Sequence, residues 1–151
     1  PKEIKLSKSF REFVEHETDR KYYYNDKPLY SKIKNDINSE DTVYQWRRRY
    51  VRANKKGVVP TLTANMGTGG HNVPIIKNGS GIRKLTPQEC FLLQGFPKNF
   101  KIPEIADTLL YHQAGNSVTV PVIERIAAAM NDVLLNKVEE RKDILTTYIK
   151  N

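Results

Sequence analysis

The stretch RKLTPQECFLLQGFP, residues 83–97, contains a complete set of signals for one short helix. Thr86 and Glu89 have the spacing of a capping box, in which each side chain accepts a hydrogen bond from the backbone N–H of the other residue. Pro87 falls at the first helical position, where its missing N–H is harmless, and Gly95 stands where helices commonly end. The pattern therefore predicts a capped helix between Thr86 and Gly95.

That helix would carry Cys90, the single cysteine among the 151 residues. One cysteine excludes an internal disulfide and leaves no cysteine-rich metal site. A nucleophilic cysteine needs a nearby base or cation and some exposure, whereas a free cysteine among apolar neighbours packs like a small hydrophobic residue. The three histidines (His16, His71 and His112) are distant in sequence, so the pattern favours packing, and a nucleophile is the alternative.

The net charge of +8 is concentrated in one part of the chain. Residues 42–80 contain seven Lys and Arg and no Asp or Glu, whereas the segments on either side are nearly balanced. An unopposed basic block beside aromatic residues, here Tyr44, Trp46 and Tyr50, is typical of a surface that binds a polyanion. A solvated strand face is the alternative. The basic residues near those aromatics are Arg47, Arg48, Arg49, Arg52, Lys55 and Lys56.

Hydrophobic spacing and turn residues predict the other elements. Residues 6–17 have helical spacing and a second capping box. Residues 43–52 have β-type composition, and residues 57–76 predict short strands broken by turns at proline and glycine. Residues 98–113 resemble a loop.

The strongest helical pattern lies near the C-terminus. Apolar residues such as Ile126 and Met130 recur there at helical spacing. Asn116 or Ser117 can cap the helix, and Pro121 falls near its first turn.

Several kinds of chemistry are missing from the sequence. NMGTGG at 65–70 does not match a phosphate-binding loop, and its glycines are better suited to a close backbone approach. Paired carboxylates and metal-spaced histidines are absent, so we predict neither a catalytic set nor a metal site. Because no apolar run is long enough to cross a membrane and no signal peptide is evident, we expect an intracellular, reducing setting and no membrane partner. The residues alone predict an α+β domain that binds nucleic acid.

Three stretches extend this prediction by resemblance. GIRKLTPQECFLLQGFP (81–97) resembles the ninth conserved motif of the cytosine-5 DNA methyltransferases, and QAGNSVTVPVIERIAAAM (113–130) resembles the tenth. PTLTANMGTGGHNVPII (60–76) is similar to the end of their target-recognition region. The N-terminal residues are similar to the segment that follows the eighth motif, so the likeness runs in the family's order over about residues 1–135.

The resemblance implies the C-terminal part of such an enzyme. The family's Gly-rich cofactor motif, Pro-Cys nucleophile and Glu-Asn-Val motif are absent here, and Cys90 follows Glu89 rather than a proline. The implied fold is α+β: a small β-rich target-recognition domain (1–97), then helices (98–151) that complete an α/β methyltransferase catalytic domain. The implied partners are double-stranded DNA and the catalytic half, as a separate subunit or a missing segment. The implied location is the bacterial cytoplasm, in association with the nucleoid.

The resemblance also assigns residues. Asn116, Ser117 and Val118 match the turn that lines the pocket for S-adenosyl-L-methionine. Arg83 matches the arginine that organises the recognition domain, although an ordinary surface arginine is the alternative, and Leu62 fits a strand position equally well. The predicted DNA-binding set comprises the six basic residues at 47–56 together with Thr61, Leu62, Thr63, Asn65, Gly67, Gly69, Gly70 and Arg83. Two other functions stay open: a stand-alone DNA-binding module without a catalytic partner and, more weakly supported, an RNA-binding domain.

Overall fold

The computed structural model describes residues 8–54, 57–68 and 72–135, which form two compact units, one ending at Ser117 and one beginning at Val118. The first unit contains a four-stranded antiparallel sheet in the order β2-β1-β3-β4. The strands are β1 (Tyr44–Trp46), β2 (Val51–Ala53), β3 (Ile75–Asn78) and β4 (Gly81–Lys84). The α-helices of the described residues are α1 (Tyr30–Ile33), α2 (Pro87–Leu93), α3 (Asp107–Asn116) and α4 (Val120–Leu134), and short 3-10 helices span Phe10–Phe13, Arg20–Tyr22 and Ala64–Gly67.

The sheet packs against a core cluster on each of its faces. Neighbouring residues point to opposite faces, so consecutive positions enter different clusters. Val43 and Ile76 belong to the larger core cluster, which also includes Cys90 of α2. Tyr44 and Ile75, the chain neighbours of those two residues, belong to a smaller cluster with residues around α1. The α+β class expected from the sequence is consistent with this arrangement.

Helix α2 confirms the prediction made from residues 83–97. The Thr86 hydroxyl accepts a hydrogen bond from the Glu89 N–H at 3.2 Å, and the Glu89 carboxylate accepts one from the Thr86 N–H at 2.7 Å. Gly95 lies just beyond the helix with φ of 91°, a conformation that favours glycine. Cys90 is fully buried in the larger core cluster, as the packing interpretation predicted.

The helix predicted at residues 6–17 is wrong over its described part. Only a 3-10 helix at Phe10–Phe13 forms, with the predicted Ser9–Glu12 capping box at its start. The chain is already extended at Val14, and the backbone of Glu15 is bound by other side chains: its N–H donates to Glu89 and its carbonyl accepts from Arg83. These contacts use the backbone groups that a continuing helix would need for its own hydrogen bonds.

Two further expectations in the middle of the chain are wrong. Residues 98–113 are not all loop, because α3 begins at Asp107; its buried residues Leu110, Tyr111 and Ala114 hold it on the core. Between residues 57 and 76, the described residues form one strand, which begins at Ile75, rather than several.

Helix α4 forms where it was predicted, with Pro121 in its first turn. Its N-cap is Thr119, so the caps predicted at Asn116 and Ser117 are wrong: Asn116 ends α3, and Ser117 is the C-cap of that helix. Along α4 the apolar side chains are exposed, including Ile126 at 51% and Met130 at 60%. No helix in the described ranges is long and apolar enough to span a bilayer.

Candidate nucleic-acid interface

The hairpin of β1 and β2 presents the predicted basic residues to solvent. Its connection is closed by hydrogen bonds from Arg47 N–H to the Tyr50 carbonyl at 2.9 Å and from Arg49 N–H to the Arg47 carbonyl at 2.7 Å. Arg48 has φ of 61°, a left-handed conformation that costs a non-glycine residue about 1–2 kcal/mol. All three arginines are exposed, as is Arg52 on β2.

An open cleft of about 510 Å³ lies between this hairpin and the segment that contains Thr61 and Thr63. Arg47 and Arg52 line one part of it, and Thr61 and Thr63 line another. No carboxylate borders the cleft among the described residues, so the charged groups that line it, Arg47 and Arg52, are both positive. The other lining residues are Gln45, Ala53, Asn54, Val58, Val59, Pro60 and Asn72.

The Thr61–Thr63 segment alternates between solvent and core. Thr61 and Thr63 are exposed on either side of Leu62, which is 9% exposed and belongs to the larger core cluster. Leu62 thus anchors the segment, while the two threonines face the cleft. Contact of Leu62 with DNA is not supported by this burial.

The 3-10 helix at Ala64–Gly67 lies directly against α3. A side chain at Gly115 of α3 would overlap the backbone of Thr63 and Ala64, and one at Gly67 would overlap the Thr108 carbonyl. The close approach anticipated for the glycines therefore occurs at Gly67, although the element that approaches is α3. Asn65 is exposed, and its carbonyl accepts a hydrogen bond from the Asn72 side chain at 3.2 Å.

Arg83 is corrected as a member of the DNA-facing set, because its side chain is completely buried. Its guanidinium forms two hydrogen bonds with the Glu89 carboxylate, at 2.7 and 2.8 Å, and a third with the Glu15 carbonyl at 2.7 Å. Arg83 Nε is buried without a hydrogen-bond partner in the described structure. The residue thus joins β4, α2 and the N-terminal segment, as an organising arginine would, and offers no surface to DNA.

Four residues of the predicted DNA-binding set lie outside the described residues: Lys55, Lys56, Gly69 and Gly70.

The predicted cofactor turn lies at the end of α3. Asn116 is exposed, and its Nδ2 lies 3.1 Å from His112 Nε2. The Ser117 hydroxyl donates to the Ala114 carbonyl at 2.7 Å and so closes the end of the helix. Val118, the first residue of the second unit, is 53% exposed.

Electrostatics in the core argue against catalysis by the cysteine. Burial raises the pKa of the Cys90 thiol, and the nearby Glu89 raises it further, so sulfur stays protonated at neutral pH. Lys84 lies with its ammonium 5.0 Å from the ring centre of Tyr111, and burial lowers its pKa. In the described part of the chain, no group of three His, Cys, Asp or Glu side chains is placed to hold a metal ion.

Sequence reasoning missed several residues of these sites. Asn54 and Asn72 line the cleft but belong to no motif of their own, although Asn72 lies within residues 60–76, the stretch that resembles the end of the target-recognition region. His112 was noted only as a distant base for Cys90, yet it contacts both Asn116 and the Ala64 carbonyl. The signal that could have found it is its position four residues before Asn116, which puts both side chains on one face of a helix.

Comparison with known proteins gives a consistent result for most of the chain. A family model described as C-5 cytosine-specific DNA methylase matches residues 1–132. Type II methyltransferase M.Bsp6I of Bacillus sp. (strain RFL6) is 64% identical over 110 residues, which are 72% of this chain and 35% of that enzyme. Type II methyltransferase M.DsaV of Dactylococcopsis salina is 32% identical over 139 residues, which are 86% of this chain and 36% of that enzyme.

A solved structure gives the same result for the fold. The Entamoeba histolytica methyltransferase EhMeth aligns over 90% of this chain and 43% of its own, with a TM-score of 0.52 and 17% sequence identity. That likeness concerns the fold alone. The chain spans only about a third of the length of the two curated relatives described above.

Proposed function

We propose a function from one premise: the chain belongs to the C-5 cytosine-specific DNA methylase family. It is the part of a DNA (cytosine-5-)-methyltransferase that recognises the target and completes the cofactor pocket. It is inactive without the segment that carries the Pro-Cys nucleophile. In a type II restriction–modification system, such an enzyme methylates cytosine in double-stranded DNA, in the cytoplasm and in contact with the nucleoid.

The observation that carries this proposal is the open cleft. It brings Arg47 and Arg52 together with Thr61 and Thr63, which are about ten residues away in sequence and were selected on separate grounds. Guanidinium groups pair with phosphates, and hydroxyl groups can reach either backbone or bases. The cleft therefore combines groups that position DNA with groups that can read it.

The roles of the predicted DNA-binding residues follow from their chemistry and their burial. Arg47, Arg48, Arg49 and Arg52 hold the phosphate backbone, and Thr61, Thr63 and Asn65 contact the target. Leu62 and Gly67 fix the segment against the core and α3. Arg83 supports this region through Glu89 rather than touching DNA.

The end of α3 suits the cofactor because it is exposed and polar. Asn116 uses Nδ2 in its bond to His112, and among the described residues its Oδ1 accepts no hydrogen bond. Asn116, Ser117 and Val118 would hold S-adenosyl-L-methionine together with the missing segment. The cofactor supplies the methyl group for C5 of cytosine.

Methylation of C5 requires the cytosine to leave the base stack, because the ring is unreachable inside a duplex. This chain holds the duplex around the site and contributes no nucleophile: its single cysteine is buried, with a raised pKa. The residue that attacks the ring belongs to the missing segment. Binding of the duplex by the cleft and attack on the base are thus divided between two parts of the enzyme.

The decisive experiment is complementation. The purified chain, incubated with duplex DNA and methyl-labelled S-adenosyl-L-methionine, is expected to leave the DNA unlabelled. Adding the part of the Bacillus enzyme M.Bsp6I that precedes its matched stretch is expected to restore labelling. If the two pieces do not associate, joining them in one polypeptide provides the same test.

Labelling by the chain alone would contradict the proposal. DNA binding without complementation, in the joined polypeptide as well, would favour the stand-alone DNA-binding module. The control is the double variant Lys32→Gln/Lys34→Gln. Both lysines are exposed and lie outside the cleft, so this variant should not affect complementation.

A further inference from the structure

His112 occupies a bridging position between the predicted cofactor turn and the segment that lines the cleft. Its Nδ1 lies 3.1 Å from the Ala64 carbonyl oxygen, and its Nε2 lies 3.1 Å from Asn116 Nδ2. Ala64 directly follows Thr63, a cleft residue. One imidazole ring therefore joins the predicted cofactor turn to the backbone next to a cleft residue.

These two contacts fix the tautomer of the ring. A carbonyl oxygen can only accept, so Nδ1 must carry the hydrogen that is donated to Ala64. In a neutral imidazole Nε2 is then an acceptor, which matches the N–H groups that the Asn116 amide offers. With the Asn116 amide nitrogen as the atom that faces the ring, the two hydrogen bonds assign the neutral Nδ1–H tautomer.

The same bond fixes the orientation of the Asn116 amide. With Nδ2 turned toward His112, the oxygen Oδ1 is the atom that remains for other contacts. If Nε2 gained a proton it would become a donor, and the amide would have to rotate and offer Oδ1 to the ring. Asn116 would then present N–H groups instead of an acceptor.

The titratable side chains on the described elements that pack around the ring are paired or buried. The 3-10 helix at 64–67 that packs on α3 carries no titratable side chain. On α2, which also packs on α3, Cys90 is buried and Glu89 is engaged by Arg83. On α3 itself, Asp107 is paired with Lys21 at 3.0 Å, and Tyr111 is buried.

We propose that His112 is a positioning residue for the cofactor turn. As the neutral Nδ1–H tautomer, it holds Asn116 with Oδ1 free to accept a hydrogen bond from a donor group of the cofactor, and it ties that residue to the backbone beside Thr63. The contact of Asn116 with the cofactor rests on the function proposed above. The orientation that His112 imposes on Asn116 does not.

The first test needs only the full chain. NMR correlations between the protons and the ¹⁵N-labelled nitrogens of the His112 ring should identify the Nδ1–H tautomer at pH 8. The Asn116 side-chain amide signals should shift when His112→Asn removes the acceptor at the Nε2 position, and they should stay near their wild-type positions in His112→Gln, which keeps an acceptor there. An Nε2–H tautomer, or amide signals that ignore the ring, would overturn the proposal.

The second test separates the two hydrogen bonds. His112→Gln places an amide near the Nε2 position, so it can still accept from Asn116, whereas His112→Asn reaches only Ala64. In the complemented enzyme, His112→Asn should lower the affinity for S-adenosylhomocysteine by about three- to tenfold, the effect of one hydrogen bond. His112→Gln should keep the wild-type affinity.

Melting temperature and DNA affinity of both variants show whether folding is affected. Wild-type affinity in the Asn variant would overturn the role of His112. If the complemented wild-type enzyme binds no cofactor, the proposed function fails instead, and the NMR measurement still decides whether His112 sets the orientation of Asn116.

Discussion

Arginine has opposite functions in two regions of this molecule. In the junction of β4 and α2, the Arg83 guanidinium is fully buried and is bound by a carboxylate and a backbone carbonyl. In the β1–β2 hairpin, Arg47, Arg48 and Arg49 are exposed, and no described carboxylate borders the cleft that Arg47 lines. The same side chain is structural where it is buried against a carboxylate and available for binding where its charge is exposed.

The two regions also differ in what a substitution should change. A buried ion pair is held at a high desolvation cost, so loss of one member leaves an uncompensated charge in the core. An exposed arginine contributes little to stability but keeps its full charge for a polyanion. Stability measurements should therefore respond to the junction, and binding measurements to the hairpin.

The largest expected effect is at the junction. Glu89→Gln keeps the shape of the side chain but removes the charge that compensates Arg83 and weakens the capping box. We expect the free energy of unfolding to fall by about 3–5 kcal/mol, measured by urea denaturation. Arg49→Gln in the hairpin is the matched control and should change it by less than about 0.5 kcal/mol. Equal effects at the two positions would remove the distinction between the regions.

The hairpin should dominate DNA binding. Each phosphate contact contributes a slope of about −0.9 to log K against log salt concentration, so we expect about −3 to −5 for the intact block. Replacing Arg47, Arg48 and Arg49 together with Gln should flatten that slope by about 2 and lower affinity about 10- to 100-fold at low salt. Fluorescence anisotropy with duplex DNA measures both quantities, and an unchanged slope would move the interface elsewhere.

A smaller effect is expected when a buried tyrosine and an exposed tyrosine are compared for their influence on stability at high pH. Burial raises the pKa of Tyr24 to about 12 from an ordinary value of 10.0. Because the unfolded chain loses this proton first, the stability from Tyr24 is complete below pH 10 and is lost between pH 10 and about 12. Tyr24→Phe should remove about 2 kcal/mol of that alkaline loss, measured as melting temperature against pH. Tyr50→Phe at the exposed hairpin should leave the curve unchanged, and a similar response in both variants would contradict the comparison.

The sequence predicts local structure correctly where both hydrogen-bonding residues are close along the chain. The Thr86–Glu89 capping box is complete within four residues, so its helix could be predicted without knowing the fold. The second role of Glu89 could not, because it binds the backbone of Glu15, 74 residues away. That distant contact also explains the error at residues 6–17, where apolar spacing favours a helix but Arg83 and Glu89 bind an extended backbone.

The candidate site was predictable in composition but not in geometry. The basic block and the Thr61–Thr63 segment were selected from the sequence, yet their meeting in one cleft depends on strand pairing. Arg83 was placed with the other arginines because sequence records charge and not burial. Helix α3 was missed because tertiary packing of residues such as Tyr111, rather than a capping signal, stabilises it.

The burial of Cys90 gives the chain a practical property for chemical labelling. Its thiol is the only one in the 151 residues, is inaccessible to reagents in the folded state, and is protonated at neutral pH. A cysteine introduced at an exposed position of the hairpin, such as Arg48, would therefore be the single reactive handle on native protein. A fluorophore or spin probe attached there would report on the binding surface without first removing the native cysteine from the core.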